Sequence, residues 1–208
     1  MVGALREVPV IGLIGGVGSG KSFVTRGLAA RRPVEVIVAD QIGHDALKLP
    51  EVKDEIRRFF GEGVFGADGE IDRPKMSDRV FGTDAAAQSR RSVLESIVHP
   101  RITAEVDRRI EQSRRRKDLA AILVDAPLLL EAGWHTLCDH VVFVDCPRET
   151  RLERVMNNRG WSAAELDRRE ASQWTLEAKL AAANLVVDNS EHGHAVDELE
   201  RYLDEIHP

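Results

Sequence analysis

Gly15, Gly16, Val17, Gly18, Ser19, Gly20, Lys21 and Ser22 follow the spacing G-x-x-x-x-G-K-S. Residue types in that order suit one chemistry, the holding of phosphate. Glycines let the chain curl until successive amides point inward at oxygens. A helix starting at the end of the turn adds its partial positive charge. Lys21 has the reach to meet β- and γ-phosphates, and the Ser22 hydroxyl is a hard oxygen donor suited to Mg²⁺. Two carboxylates fall where such a site could use them. Asp40 and Asp125 each close an apolar run, at residues 34–39 and 120–124. Acids at strand C-termini sit where α/β sheets place ligands. Asp40 has the alternative of capping the helix that follows. Asp125 can hold Mg²⁺ directly or through water, or serve as a strand-end acid satisfied by backbone amides.

The elements needed to position these groups are legible around them. Residues 8–14 form an apolar run before the loop, and residues 23–31 space their apolar members as a helix does. Further strands are expected at 34–39, 120–124, 141–144 and 185–187. Residues 41–49 read as a short helix and 51–60 as a longer one, followed by a glycine-rich turn at 61–69. Asp72 can cap a helix reaching Phe81. A helix over 84–98 is expected to be interrupted by Pro100, and a second one to run over 101–117. The basic run at 114–117 reads as a solvated helix end. Residues 43–117 are thus nearly all helix, where a plain alternating α/β chain would return to strand; this is the pattern of a helical insertion beside the loop. Residues 149–158 form a helix carrying Arg151 and Arg154 on one face, with Arg159 near its end. Ser162 to Glu165 spell a capping box opening a helix that carries Arg168 and Arg169. Arginine-dense helices in this place suggest a lid that closes on phosphates; any single arginine there can equally be salt-bridged surface. Residues 195–206 form a closing helix, and His192 and His194 read as loop residues.

Composition narrows the class. The chain has 208 residues, 43% of them hydrophobic and 31% charged, enough for one buried core with insertions. A net charge of −6 provides no broad basic surface for nucleic acid. The two cysteines, Cys138 and Cys146, do not make a disulfide framework, so a reducing cytoplasm is expected. No apolar run approaches a membrane span, and no obligate protein partner is evident.

Beyond the loop, the chain resembles the dephospho-coenzyme A kinase family. The resemblance is carried in order by residues 12–22, by Ala39-Asp40-Gln41-Ile42-Gly43-His44, by residues 94–102 with His99-Pro100, by Pro127-Leu128-Leu129-Leu130-Glu131, by residues 149–154, and by Gln173 through Lys179 to Asn189. It covers nearly the whole chain, and the His99-Pro100 and Pro127 to Glu131 blocks are far more specific than the loop. It implies a three-layer α/β/α fold of the P-loop type, with a five-stranded parallel sheet, a helical substrate-binding insertion and a lid. The expected regions are a nucleotide core at 1–42, 118–148 and 184–208, a helical coenzyme A region at 43–117, and a lid at 149–183. The implied reaction moves the γ-phosphoryl of ATP to the ribose 3′-hydroxyl of dephospho-coenzyme A.

By the same resemblance Asp40, Lys21 and Arg154 are the catalytic candidates. Gly16, Val17, Gly18, Ser19, Gly20, Lys21, Ser22, Phe23 and Asn189 would bind ATP. Asp40, His99, Pro100 and Leu128 would bind the acceptor, and Ser22 with Asp125 would hold Mg²⁺. Two positions depart from the family. Phe23 replaces a threonine, losing a hydroxyl near the α-phosphate while keeping the backbone amide. Asn184 replaces an aspartate before the last strand, at a position expected to be structural. The rival readings are a kinase for another small acceptor, a GTP-hydrolysing switch, and a non-catalytic nucleotide-binding module. The absence of an N-K-x-D guanine-reading motif argues against the switch. The intact Lys21, Ser22, Asp40 and Arg154 argue against the inert module.

Overall fold

A computed structural model describes residues 7–80, 84–190 and 194–207. Five strands form one sheet in the order β2-β3-β1-β4-β5. They are β1 (Val10–Gly15), β2 (Val34–Val38), β3 (Ala121–Asp125), β4 (His140–Asp145) and β5 (Leu185–Asp188). Every pairing is parallel. β1, β3 and most of β4 are buried, so they are near-continuous apolar runs rather than alternating ones. The chain enters at the centre of the sheet, with β3 on one side of β1 and β4 on the other. Strand order therefore reverses at β1, and a crevice opens beyond its C-terminal end.

On one face, α1 (Lys21–Ala29) and α9 (His194–Ile206) cover the sheet. Val24, Leu28, Leu199 and Leu203 pack with Leu13, Leu123 and Val142 in one fully buried cluster. Asn184 sits at the start of β5 as a backbone mimic. Its Oδ1 accepts from the Val141 amide at 2.8 Å or less (2.7 Å), and its own amide donates to the Val141 carbonyl at 2.8 Å. α6 (Arg148–Arg159), α7 (Ala163–Glu170) and α8 (Leu176–Ala181) follow β4. Ser162 caps α7, accepting from the Glu165 amide, and Thr175 caps α8, accepting from the Ala178 amide. The Glu165 carboxylate does not complete the capping box; it pairs with Arg168 and Arg169. No helix among the described residues is long and apolar enough to cross a membrane.

Ala39–Val106 forms a compact unit of its own, and the remainder of the chain forms the other. The helical unit holds α2 (Ala39–Ala46), α3 (Pro50–Phe60), α4 (Arg73–Val80) and most of α5 (Ala85–Arg114). Asp72 and Asp84 cap α4 and α5, their carboxylates accepting from the amides of Lys75 and Ala87. The turn after α3 contains a short 3₁₀ segment, Glu62–Val64, and an isolated antiparallel bridge between Phe65 and Ile71.

Four expectations are corrected. First, α5 does not break at Pro100; it is one helix of 30 residues. An interior proline costs about 3 kcal/mol. Burial of Ile97, Val98, Ile102 and Val106 on either side offsets it, at roughly 1.5–3 kcal/mol per side chain. The Arg101 guanidinium also donates to the Ile97 carbonyl at 2.8 Å, and Thr103 Oγ1 to the His99 carbonyl at 2.9 Å, satisfying acceptors next to the proline. Second, α5 ends at Arg114 and does not reach Lys117, while residues 115–117 are exposed, as a solvated helix end is expected to be. Arg114 pairs with Glu7 and Asp139, and Arg116 with Glu35 and Asp118. Third, α2 begins at Ala39, directly after β2, which places Asp40 inside its first turn rather than at its cap. Fourth, His194 opens α9 instead of lying in a loop. Phe81 and His192 lie outside the described residues.

Candidate phosphate site

The loop between β1 and α1 is shaped by its own short bonds. The Ser19 amide donates to the Gly16 carbonyl at 3.2 Å, and the amides of Phe23 and Val24 donate to the Gly20 carbonyl at 2.9 and 3.1 Å. Gly18 and Gly20 take left-handed conformations, with φ of 79° and 90°. A side chain at Gly18 would put its Cβ 2.8 Å from the Arg151 carbonyl, and one at Gly20 would collide with the Asn189 amide. Glycine is required at both for conformation and for space.

Lys21 lies back along the loop, its Nζ donating to the carbonyls of Gly15 at 3.3 Å and Gly16 at 3.2 Å. Ser22 Oγ donates to Asp125 Oδ2 at 2.6 Å. Asp125 is buried at the end of β3, beside Leu13 of β1 in the sheet. A hydroxyl and a carboxylate held together at the loop's exit are the hard oxygen donors that Mg²⁺ prefers. The donor set therefore fits that ion, with the remaining positions left to water and phosphate.

The Lys21 ammonium is lowered from 10.5 to about 8, first by burial, then by the nearby Lys179 cation, with Asp125 opposing. Arg159 acts in the same direction as Lys179, and Glu131 opposes them. The unfolded chain binds the extra proton between pH 8 and 10.5, so this lysine's contribution to stability rises with pH across that window. A bound polyphosphate favours the charged form, so nucleotide binding must pull a proton onto Lys21 above pH 8. Calorimetry at pH 9, repeated in buffers of different ionisation enthalpy, should record an uptake approaching one proton per ATP. The terminal phosphate is fully ionised there and contributes nothing. At pH 7 the uptake from Lys21 should be close to zero.

Two arginines of α6 reach the loop from outside. Arg151 is almost completely buried, 3% exposed. It donates to the Cys146 carbonyl at 3.1 Å and the Val17 carbonyl at 3.3 Å, and pairs with Glu170. Arg154 donates through one nitrogen to the Ser19 carbonyl and Cys146 Sγ, both at 3.2 Å, and through the other to the Asn189 carbonyl at 2.8 Å. Asn189 Nδ2 donates to the same Ser19 carbonyl at 2.7 Å. Ser19 Oγ and Asn189 Oδ1 are buried without a partner among the described residues. The loop is thus braced by planar side chains bonded to its Val17 and Ser19 carbonyls.

The structure brings together Gly16 to Ser22, Asp125, Arg154 and Asn189. The Phe23 ring is exposed at the start of α1, and its amide belongs to the helix. Leu128 lies half-buried in the turn after β3, where the Ala132 amide donates to its carbonyl at 2.9 Å. Asp40, His99 and Pro100 belong to the helical unit. Asp40 is exposed on α2, and His99 and Pro100 lie half-buried and exposed within α5. Glu131 and Lys179 were legible only as members of matching blocks. Lys179 is 2% exposed, and its Nζ donates to Gln173 Oε1 at 2.7 Å and pairs with Glu131 Oε1 at 3.2 Å.

A family profile described as dephospho-CoA kinase matches residues 9–194. The chain is 41% identical over 183 residues to a dephospho-CoA kinase of Symbiobacterium thermophilum, covering 86% of this chain and 73% of that one. It is 37% identical over 203 residues to a dephospho-CoA kinase of Burkholderia lata, covering 95% and 93% of the two chains. Among solved structures it is similar to TT1252 from Thermus thermophilus, at 30% identity and a TM-score of 0.79, covering 97% and 99%.

Proposed function

The chain belongs to the dephospho-CoA kinase family, and from that premise we propose how its own residues carry out the transfer. The reaction moves the γ-phosphoryl of ATP to the ribose 3′-hydroxyl of dephospho-coenzyme A, giving coenzyme A and ADP, the final step of coenzyme A synthesis. The observation that carries the reading is the pairing of Ser22 with Asp125 beside a half-buried Lys21 at the start of α1.

ATP lies along the loop, with its polyphosphate against residues 16–23 and its adenine toward Asn189. Ser22 and Asp125 would hold Mg²⁺, which would supply charge neutralisation on the polyphosphate. Lys21 exchanges the Gly15 and Gly16 carbonyls for phosphate oxygens. Phosphoryl transfer needs alignment and positive charge more than covalent help, and Lys21 with Arg154 provides the protein's share. Asp40 accepts the proton of the acceptor hydroxyl or orients that hydroxyl. His99, Pro100 and Leu128 belong to the acceptor's surroundings. We assign 43–117 to acceptor binding, 149–183 to a lid that excludes water, and 1–42, 118–148 and 184–208 to the nucleotide core. The protein works in the cytoplasm.

The reading is tested by ADP release with and without dephospho-coenzyme A, alongside a panel of nucleosides and small alcohols. ADP release dependent on dephospho-coenzyme A is expected; equal release with another acceptor moves the chain to a different substrate. A second expectation concerns Arg154→Lys. A lysine keeps the charge but cannot span the Ser19 and Asn189 carbonyls with one planar fork. Turnover should fall by roughly 10²-fold while ATP affinity in the absence of acceptor changes little. A collapse of ATP affinity alone would make Arg154 a brace of the loop and not a group acting on the transferred phosphoryl.

A further inference from the structure

Lys179 is a buried ammonium that the pairing around it does not fully use. Its three N–H donors meet two acceptors, Gln173 Oε1 and Glu131 Oε1. The same Glu131 oxygen also accepts from the Trp174 amide at 2.8 Å, so the anionic partner is shared. The other oxygen, Glu131 Oε2, is buried with no partner among the described residues. A buried ion pair with unused donors and acceptors is an expensive structural device, because desolvation of both ions outweighs their attraction unless the remaining hydrogen bonds are made. A hydrophobic pair would hold α8 to the turn after β3 at lower cost.

The position of the lysine gives the charge a use. Lys179 lines a cavity of about 60 Å³ together with Gly16, Glu170, Gln173 and Trp174. Gly16 is the loop residue whose carbonyl holds Lys21, so the two ammonium groups flank one stretch of backbone. We propose that Lys179 is a second cation of the phosphate site, held by Glu131 and Gln173 on the Gly16 side of the loop so that its unused N–H and its charge meet the terminal phosphates beside Lys21. The two like charges repel each other while the site is empty, and a polyphosphate removes that repulsion.

The inference rests on the loop binding ATP, and binding of ATP to the unaltered protein, measured first, tests that reading alone. With binding established, Lys179→Met should lower kcat/KM for ATP by about 10–10³-fold, the range seen when an electrostatic contact to developing charge is removed. It should also weaken ATP binding more than AMP binding, since only the terminal phosphates meet this charge. A purely structural lysine would lower the melting temperature and leave the ratio of ATP to AMP affinity unchanged. The double variant Glu131→Gln with Lys179→Met removes both charges and keeps the packing, which protects the test if the single variant folds poorly. Loss of activity in a double variant of near-normal stability supports the proposal. Activity within a few-fold of the unaltered protein, or an unchanged ratio of ATP to AMP affinity in either variant, overturns it and leaves Lys179 as a brace for α8.

Discussion

Lys21→Ala should reduce kcat/KM by at least 10²–10³-fold, equivalent to about 3–4 kcal/mol of transition-state stabilisation. Lys21 Nζ donates to the carbonyls of Gly15 and Gly16 among the described residues, so alanine removes little that holds the loop. The ammonium is already disfavoured by burial and by Lys179. Its removal should leave the melting temperature unchanged or raise it slightly, since an ion held against desolvation and a like charge stabilises nothing. Loss of turnover with retained stability is therefore the expected pair of results, measured as coenzyme A formed per enzyme and by thermal unfolding. Near-normal turnover would remove this loop from the chemistry.

Asp40→Asn should retain ATP affinity and lose turnover by about 10²–10⁴-fold, the usual worth of a positioned acid–base group. Its place in the first turn of α2 sharpens the comparison. A carboxylate there gains about 0.3–1 kcal/mol from the helix dipole, and asparagine forfeits roughly that amount. The stability change should thus be small whichever role Asp40 has, and kcat at saturating ATP and acceptor separates the two. Turnover within a few-fold of the unaltered protein would take Asp40 out of the mechanism and make Asp125 the next carboxylate to test.

Much of this was legible without coordinates, because it depends on neighbours along the chain. The loop's glycines, Lys21 and Ser22 form one contiguous motif, and the strand before it and helix after it follow from local apolar spacing. The capping residues Asp72, Asp84, Ser162 and Thr175 act within three residues of themselves, and the sequence pattern points to two of them, Asp72 and Ser162. The five strands could be counted from their apolar runs, and their parallel pairing was expected from family resemblance, not from spacing.

What the tertiary structure decided is what depends on distant partners. Pro100 reads locally as a helix breaker, yet the buried side chains flanking it carry α5 straight through, since packing outweighs one lost backbone bond. Arg151 and Arg168 look alike in sequence. The first is buried against the Val17 carbonyl, 134 residues away in the chain, while the second is exposed and pairs with Glu165 in its own helix. Lys179 is the extreme case. Its ionic partner Glu131 lies far from it along the chain, so no local spacing marks it as buried. Glu131 and Gly16, brought to it by the return of the chain across the end of the sheet, turn it into a buried charge beside the phosphate loop. Local physics wrote the loop and its supporting elements; long-range burial alone determined which charges around it are sheltered from water.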